Sequence, residues 1–152
     1  MFFFKFVCEY IPSLTGEGKM SKTVEGSYIN LTDNLEMIQK KLAKAPTDSG
    51  KGNLSAMSGG VKALLTFVKL FQGEEKRKAY EEMYQDEGIR YGDLKKELAQ
   101  AIFDELKPFQ EKRKYFEEHP EEVDSIIKEG NEKAQALASE TVREVREKMG
   151  LF

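Results

Sequence analysis

The residues best suited to chemistry lie in a glycine-rich loop near the start of the chain, Gly16-Glu17-Gly18-Lys19-Met20-Ser21-Lys22-Thr23. Lys19 and Lys22 flank a Met-Ser pair, and the glycines give the backbone conformational freedom. Mobile ammonium groups can reach the negative charge that develops when pyrophosphate leaves. The Ser21 hydroxyl and nearby backbone N–H groups can add hydrogen bonds to phosphate oxygens. The loop therefore predicts a polyphosphate-binding site, and a solvated surface loop is the alternative interpretation.

The net charge does not by itself point to a nucleic-acid partner. The 152 residues include 24 Lys and Arg against 27 Asp and Glu, which gives a net charge of -3. Charged residues make up 34% and hydrophobic residues 39%, a mixture typical of exposed, salt-bridged helices and not of a disordered chain. A local basic face would remain invisible in this total.

Cysteine and histidine usage argues against a disulfide and against a Cys/His metal site. Cys8 is the only cysteine and His119 the only histidine, and the two are far apart in sequence. A reducing compartment fits this composition. The apolar segment from Phe2 to Val7 predicts a short strand, is too short to span a bilayer and lacks the features of a signal peptide. We therefore expect a soluble, cytoplasmic protein with no membrane partner and no bound metal.

The spacing of apolar residues predicts a mainly α protein, a helical bundle that follows the flexible loop and a short strand. Helices are expected near residues 33–44, 60–72, 74–85, 92–118 and 121–149. The residues expected to face the core are Leu35, Ile38, Leu42, Val61, Leu64, Leu65, Val68, Ala79, Tyr80, Met83, Leu94, Leu98, Ala101, Ile102, Leu106, Phe109, Val123, Ile127, Ala134, Leu137, Val142, Val145 and Met149.

Prolines and glycines set the expected ends of these helices. A proline blocks helix extension and restricts the residue before it, whereas a glycine closes a C-terminus. Asp and related residues cap an N-terminus. The expected stops are Pro46, Gly73, His119-Pro120 and Gly150, Asp93 is the expected N-cap of the fourth helix, and Pro108 should kink that helix or begin a new one.

Three further groups have weaker functional interpretations. Tyr80, Tyr84 and Tyr91 could stack on bases, but tyrosines on helices more often close a core. The basic run from Lys112 to Lys114 has two open interpretations, a phosphate contact or an ordinary exposed face. The acidic stretch from Glu117 to Glu122 is interpreted as a solvated helix junction and not as a metal site.

The string Lys19-Met20-Ser21-Lys22-Thr23 resembles the KMSKS signature of class I aminoacyl-tRNA synthetases, with Thr23 in place of the final serine. The hydroxyl is retained, so the departure is small. The preceding segment Ile11-Pro12-Ser13-Leu14-Thr15-Gly16 resembles the approach to that signature in tryptophanyl- and tyrosyl-tRNA synthetases. A resemblance of the loop alone would be only moderately specific, because it covers few residues.

Later segments resemble the tryptophanyl-tRNA synthetase family in particular. The stretch from Tyr91 to Ala99 matches that family's YGDxKxxLA pattern, with Leu106-Lys107-Pro108 following. The segment from Glu129 to Ala134 and the end of the chain resemble the family's closing helix. Ser58-Gly59-Gly60 departs from the family, which usually places a proline before Gly-Val. The resemblance extends from about Ile11 to Leu151, while residues 1–10 do not resemble the family.

This resemblance implies the C-terminal half of a bacterial-type enzyme that activates tryptophan with ATP and Mg²⁺ and attaches it to tRNA(Trp). Lys19 and Lys22 would be the catalytic residues, and Lys19 to Thr23, including Met20 and Ser21, would bind ATP. The HIGH-containing nucleotide fold and most of the homodimer interface would lie outside this chain, so we expect the chain to be inactive alone.

The resemblance also implies two domains. Residues 1–32 would be a remnant of the catalytic nucleotide-binding domain with its loop, and residues 33–152 an α-helical domain that binds the anticodon region of tRNA. The alternative is a non-catalytic helical module that binds RNA or a protein and retains a vestigial loop. An upstream reading frame that encodes the nucleotide fold would favour the enzyme.

Overall fold

From Leu35 onward, the described part of the chain consists mainly of helices joined by loops. The structure is a computed structural model that describes residues 10–151. Its helices are α1 (Leu35–Lys44), α2 (Gly59–Gln72), α3 (Glu74–Gln85), α4 (Tyr91–Glu118) and α5 (Pro120–Met149), with a short 3-10 turn at Leu54–Ala56. The mainly α prediction and the five helix positions are confirmed. The strand predicted at Phe2 to Val7 lies outside the described residues.

The helices end where the proline and glycine signals predict. Backbone torsions leave the helical region at Ala45, just before Pro46. Gly73 separates α2 from α3 with a φ of 93°. Pro120 occupies the first turn of α5, and Gly150 ends that helix with a left-handed φ of 69°. Pro108 lies inside α4 and begins no new helix.

Contacts divide the described part of the chain into two units, with the boundary between residues 109 and 110. The first unit contains a continuous hydrophobic core built from α1 to α4 and the loops between them. The members of this core that are essentially inaccessible to solvent are Ile38, Leu42, Val61, Leu64, Val68, Leu94, Leu98, Ala99 and Ile102. Each such aliphatic side chain larger than alanine contributes about 1.5–3 kcal/mol through burial. The predicted domain boundary at residue 32 stays a prediction.

Lys95 links two helices of the first unit. Its Nζ donates to the backbone oxygens of Ala43 at 3.1 Å and Ala45 at 2.8 Å, at the end of α1. These carbonyls have no partner within α1, because the last turn of a helix leaves its C=O groups unpaired. Burial lowers the pKa of Lys95. The lysine therefore fixes α4 against the C-terminus of α1.

Three residues expected in the core of the first unit are exposed. Tyr80 and Tyr84 are the buried residues of α3, while Met83 is 41% exposed and Ala79 also faces outward. The two tyrosines are four residues apart and form one inward row, so the neighbouring row of Ala79 and Met83 turns away. Phe109 of α4 is 56% exposed.

Asp93 is not the N-cap of α4. The helix begins at Tyr91, and the backbone N–H groups of Asp93 and Leu94 both donate to the carbonyl of Arg90, at 3.0 Å and 3.1 Å. Asp93 therefore lies in the first turn, where its carboxylate interacts favourably with the helix dipole.

The apolar stripe of α5 does not point into a core. None of its residues is buried, and Leu137 and Met149 are 68% and 66% exposed. The prediction that Val123, Ile127, Ala134, Leu137, Val142, Val145 and Met149 face inward is therefore wrong for this unit. The 3.6-residue spacing predicts the helix correctly, but the second unit consists of only α5 and the end of α4. That is too little chain to enclose the stripe.

Candidate functional site

The lysine-containing loop is a short hairpin closed by its own backbone. Met20 N–H donates to the carbonyl of Ile11 at 2.9 Å, and Ser13 N–H donates to Gly18 at 2.9 Å. A single antiparallel bridge pairs Pro12 with Lys19. These contacts place Lys19 beside Pro12, on the second arm of the hairpin, and they hold the backbone of Lys19 in place.

The far side of the loop is anchored by a buried serine. Ser27 is 1% exposed, its Oγ donates to the carbonyl of Ser21 at 2.6 Å, and that Oγ accepts from the N–H of Ser21 at 3.2 Å. The carbonyl of Ser27 accepts from Leu14 N–H at 3.0 Å, and Leu14 is itself buried. The loop therefore has two fixed ends, at Met20-Ser21 and at Leu14.

The five predicted site residues divide into an exposed and a half-buried group. Lys19, Lys22 and Thr23 are exposed, while Met20 and Ser21 are partly buried, and Met20 packs against the core. The sequence predicts an exposed loop without fixed tertiary contacts. The exposure of both lysines agrees with this, but the backbone and Met20 are held.

Both lysine ammonium groups are available for an anionic ligand. Neither Lys19 nor Lys22 forms an ion pair with a described residue. The Ser21 and Thr23 hydroxyls lie 2.8 Å apart and hydrogen-bond to each other. Thr23 thus provides the hydroxyl partner that a serine would provide at that position. The loop presents two cations and a hydroxyl pair, which are donors suited to phosphate oxygens.

A second group of polar residues, which we call the Asp48 hub, was not recognised from the sequence. The Asp48 carboxylate accepts from the hydroxyl of Tyr91 at 2.6 Å and from that of Tyr84 at 3.0 Å. It also accepts from the backbone N–H of Gly50 at 3.0 Å and of Ser58 at 3.1 Å. The hub joins the loop before α2 to α3 and α4.

The hydrogen bonds of the hub control its ionisation. Burial alone would raise the pKa of Asp48, but the bonds from Tyr91, Gly50, Ser58 and Tyr84 outweigh it and hold the pKa well below the usual range. Burial, together with the bond to Asp48, raises the pKa of Tyr91. Asp48 is therefore a carboxylate, and Tyr91 donates to it, throughout the physiological pH range.

The Asp48 hub gives a structural role to two of the three tyrosines that the sequence offers as base-stacking residues. Tyr84 is buried and its hydroxyl is bound to Asp48, and the Tyr91 hydroxyl is bound there as well. Tyr80 is also buried, and its hydroxyl donates to Glu97 at 3.1 Å. Burial, followed by the charge of Glu97, raises the pKa of Tyr80 to about 12. These tyrosines close the core of the first unit.

The other candidate groups lie in the second unit. Arg113 pairs with Glu117 at 2.8 Å and Lys114 with Glu118 at 3.8 Å, each one turn along the same helix. This arrangement favours an ordinary exposed face for the basic run. His119 stacks on the Tyr115 ring with centroids 4.2 Å apart. Among residues 10–151, no group of His, Cys, Asp and Glu is arranged to hold a metal ion.

Comparisons with known proteins agree on one enzyme family. Residues 3–107 match the family model described as tRNA synthetases class I (W and Y). The chain is 35% identical over 141 residues to the tryptophan–tRNA ligase of Porphyromonas gingivalis, covering 92% of this chain and 43% of the relative. It is 41% identical over 147 residues to the corresponding ligase of Caldanaerobacter subterraneus, covering 93% and 43%.

A solved structure gives the same result for the fold. The tryptophanyl-tRNA synthetase of Campylobacter jejuni, complexed with ADP and tryptophan, superposes with a TM-score of 0.73 at 25% sequence identity. The match covers 94% of this chain and 44% of that one. The chain therefore spans less than half the length of the relatives it matches.

Proposed function

Because this chain belongs to the class I tRNA synthetases of the tryptophan and tyrosine family, we propose that it serves as the ATP-loop and tRNA-binding part of a tryptophan–tRNA ligase. The observation that carries the proposal is the loop itself: Lys19 and Lys22 are exposed and without ion pairs among the described residues, on a backbone that is hydrogen-bonded at both ends. The tryptophan–tRNA ligases among its relatives support tryptophan as the amino acid.

The role proposed for the loop is to stabilise charge in the transition state of tryptophan activation. ATP with Mg²⁺ supplies the reactive phosphate and the pyrophosphate leaving group. The ammonium groups of Lys19 and Lys22 approach the phosphate oxygens on which charge accumulates. The hydroxyl of Ser21 lies between the two lysines in sequence and donates a hydrogen bond to the same phosphate group. Mg²⁺ usually binds through substrate phosphates and few protein ligands. It would therefore be held mainly by the nucleotide, while the lysines and hydroxyls of the loop would bind phosphate oxygens of that nucleotide.

The partners follow from the same assignment. We propose that residues 33–152 bind tRNA(Trp) and that residues 1–32 belong with the catalytic domain. Tryptophan, most of the adenylate pocket and most of a homodimer interface would belong to the part of the enzyme outside this chain. A cytoplasmic location suits a translation enzyme. In the described residues, no helix is both long and apolar enough to cross a membrane.

The tRNA assignment predicts that the isolated chain distinguishes tRNA(Trp) from other tRNAs. We expect tighter binding to tRNA(Trp) than to the same tRNA with an altered anticodon, since wrong bases leave polar groups of the protein unpaired. The measurement is the dissociation constant of each complex at a fixed salt concentration, because phosphate contacts alone depend strongly on salt. Equal affinity for both tRNAs would favour the alternative of a general RNA-binding module. Absence of binding to either would contradict the tRNA role.

A further inference from the structure

The lysine-containing loop rests on the first turn of α2. Gly16 has a φ of 83°, and a Cβ placed on it would lie 2.5 Å from the backbone nitrogen of Gly60. A Cβ on Gly59 would lie 2.6 Å from the carbonyl oxygen of Gly16. The two backbones therefore touch directly, with no room for a methyl group on either side. Gly16 lies only three residues before Lys19, so the position of the first turn of α2 affects where the backbone of this lysine lies.

The first turn of α2 is in turn held by Asp48. Ser58 is the N-cap of α2, and its Oγ accepts from Val61 N–H at 3.3 Å. The N–H of Ser58 donates to Oδ2 of Asp48 at 3.1 Å. The same turn also packs closely against the chain before α2, because a Cβ placed on Gly60 would collide with the carbonyl oxygen of Pro46. The first turn of α2 therefore has no room to shift toward Pro46, and the Asp48 bond holds its N-cap residue, Ser58.

Asp48 also connects this turn to the rest of the first unit. The same Oδ2 that binds Ser58 accepts from the hydroxyl of Tyr84 in α3, and Oδ1 accepts from Tyr91 in α4. Bonds to an ionised acceptor are shorter and stronger than neutral ones. A single carboxylate thus links α3, α4 and the support of the loop.

We propose that Asp48 is a positioning residue for the lysine-containing loop, which acts through Ser58 and the Gly59-Gly60 turn to place Gly16 and, through Tyr84 and Tyr91, ties the loop to α3 and α4. The importance of this placement rests on the proposed function, since a displacement of about 1 Å can cost a hundredfold in rate when a catalytic group must meet a reacting atom. Contacts that shift α3 or α4 would then reach the loop along this path.

The path makes a local prediction that needs no nucleotide. Amide hydrogen exchange, followed by NMR on the full 152-residue chain, would be measured at Ser13, Leu14, Gly16 and Met20, whose N–H groups all donate within the loop. Asp48→Asn should accelerate exchange at these amides about tenfold, because it weakens charge-assisted bonds at the support of the loop. Tyr84→Phe and Tyr91→Phe should each accelerate it about threefold through local opening of the loop, while amides near Leu98 in the core report global unfolding and should change only as the unfolding free energy measured by denaturation changes.

Matched controls separate positioning from general loss of stability. Tyr80→Phe removes a comparable hydroxyl bond between α3 and α4, to Glu97, without touching Asp48. Asp86→Asn removes an exposed carboxylate at the end of α3. Both should leave the loop amides unchanged. If Asp48→Asn does not fold, the two tyrosine variants still decide the question.

Two results would overturn the proposal. The first is that the loop amides of Tyr84→Phe and Tyr91→Phe exchange at the wild-type rate. The second is that Tyr80→Phe accelerates exchange of the loop amides as much as Tyr84→Phe and Tyr91→Phe do. In a double-mutant cycle of Tyr84→Phe with Gly16→Ala, the effects on loop exchange should not multiply, because both act on one path. Since exchange is read without ATP or tRNA, failure of the ligase assignment would leave this result intact, and the reverse also holds.

Discussion

Replacing Lys22 with alanine in a full-length ligase that contains this segment should slow tryptophan activation about a hundredfold or more. A mobile lysine acts where charge develops, in the transition state, so its loss lowers the rate more than ground-state affinity. One such donor contributes on the order of 3 kcal/mol. The measurement is pre-steady-state activation kinetics, with the tryptophan dissociation constant determined in parallel.

Lys19→Ala should act in the same direction, and the double variant should lose less than the product of the two effects. Both ammonium groups are expected to serve one leaving pyrophosphate, so their contributions are coupled. Lys128→Ala is a suitable control, because this lysine is exposed in α5 and far along the chain from the loop. An unchanged activation rate in Lys22→Ala, accompanied by weaker tryptophan binding, would contradict the role assigned to the loop.

The second large effect is expected for stability. Asp48→Ala should lower the free energy of unfolding of the chain by about 3 kcal/mol, because it leaves two tyrosine hydroxyls and two backbone N–H groups without their acceptor. The measurement is urea denaturation at pH 7, with Asp86→Ala as the control for an exposed carboxylate. A loss below about 0.5 kcal/mol would mean that Asp48 does not hold its neighbours.

The same residue should give an acid-dependent signature. The pKa of Asp48 is lower in the folded chain than the value of about 3.9 expected when it is unfolded. Its contribution is therefore present above about pH 4 and is lost as the pH falls further toward the folded pKa. The difference in unfolding free energy between wild type and Asp48→Asn should be constant from pH 7 to about 5 and should shrink below about pH 4.

The helices could be predicted from local signals because each boundary is set by residues close in sequence. Pro46 and Pro120 restrict the backbone locally, whereas Gly73 and Gly150 adopt the positive φ at which a helix ends. An apolar residue every three or four positions gives the helix between these points. These signals act over one turn and need no knowledge of the rest of the fold. The loop motif could be recognised for the same reason, since Lys19 to Thr23 are contiguous.

The Asp48 hub could not be predicted, because its members are distant in sequence. Tyr84 and Tyr91 lie 36 and 43 residues from Asp48, and a tyrosine on an amphipathic helix gives no indication of what its hydroxyl will meet. The only local signal is the Asx turn from Asp48 to Gly50, which marks the carboxylate as an acceptor. The contact between Gly16 and Gly60 is equally long-range, and the Gly59-Gly60 pair was its only sequence signal.

The apolar stripe of α5 shows a second feature that sequence periodicity does not determine, the surface that covers a helix face. An amphipathic pattern specifies which face of a helix is apolar but does not specify what covers it. The same is true within α3, where Tyr80 and Tyr84 are buried in the core while Ala79 and Met83 are exposed. Periodicity alone could not choose between two adjacent rows of one helix.

Tryptophan-dependent ATP–pyrophosphate exchange by a chimaera tests most directly whether this loop takes part in tryptophan activation. In the chimaera, residues 11–151 of this chain replace the matching segment of the Porphyromonas gingivalis ligase, which is 35% identical. We expect exchange within about tenfold of the parent enzyme, and its loss in the Lys19→Ala, Lys22→Ala double variant. A folded chimaera without exchange, or one whose exchange is unaffected by loss of both lysines, would contradict the assignment of this loop to ATP chemistry.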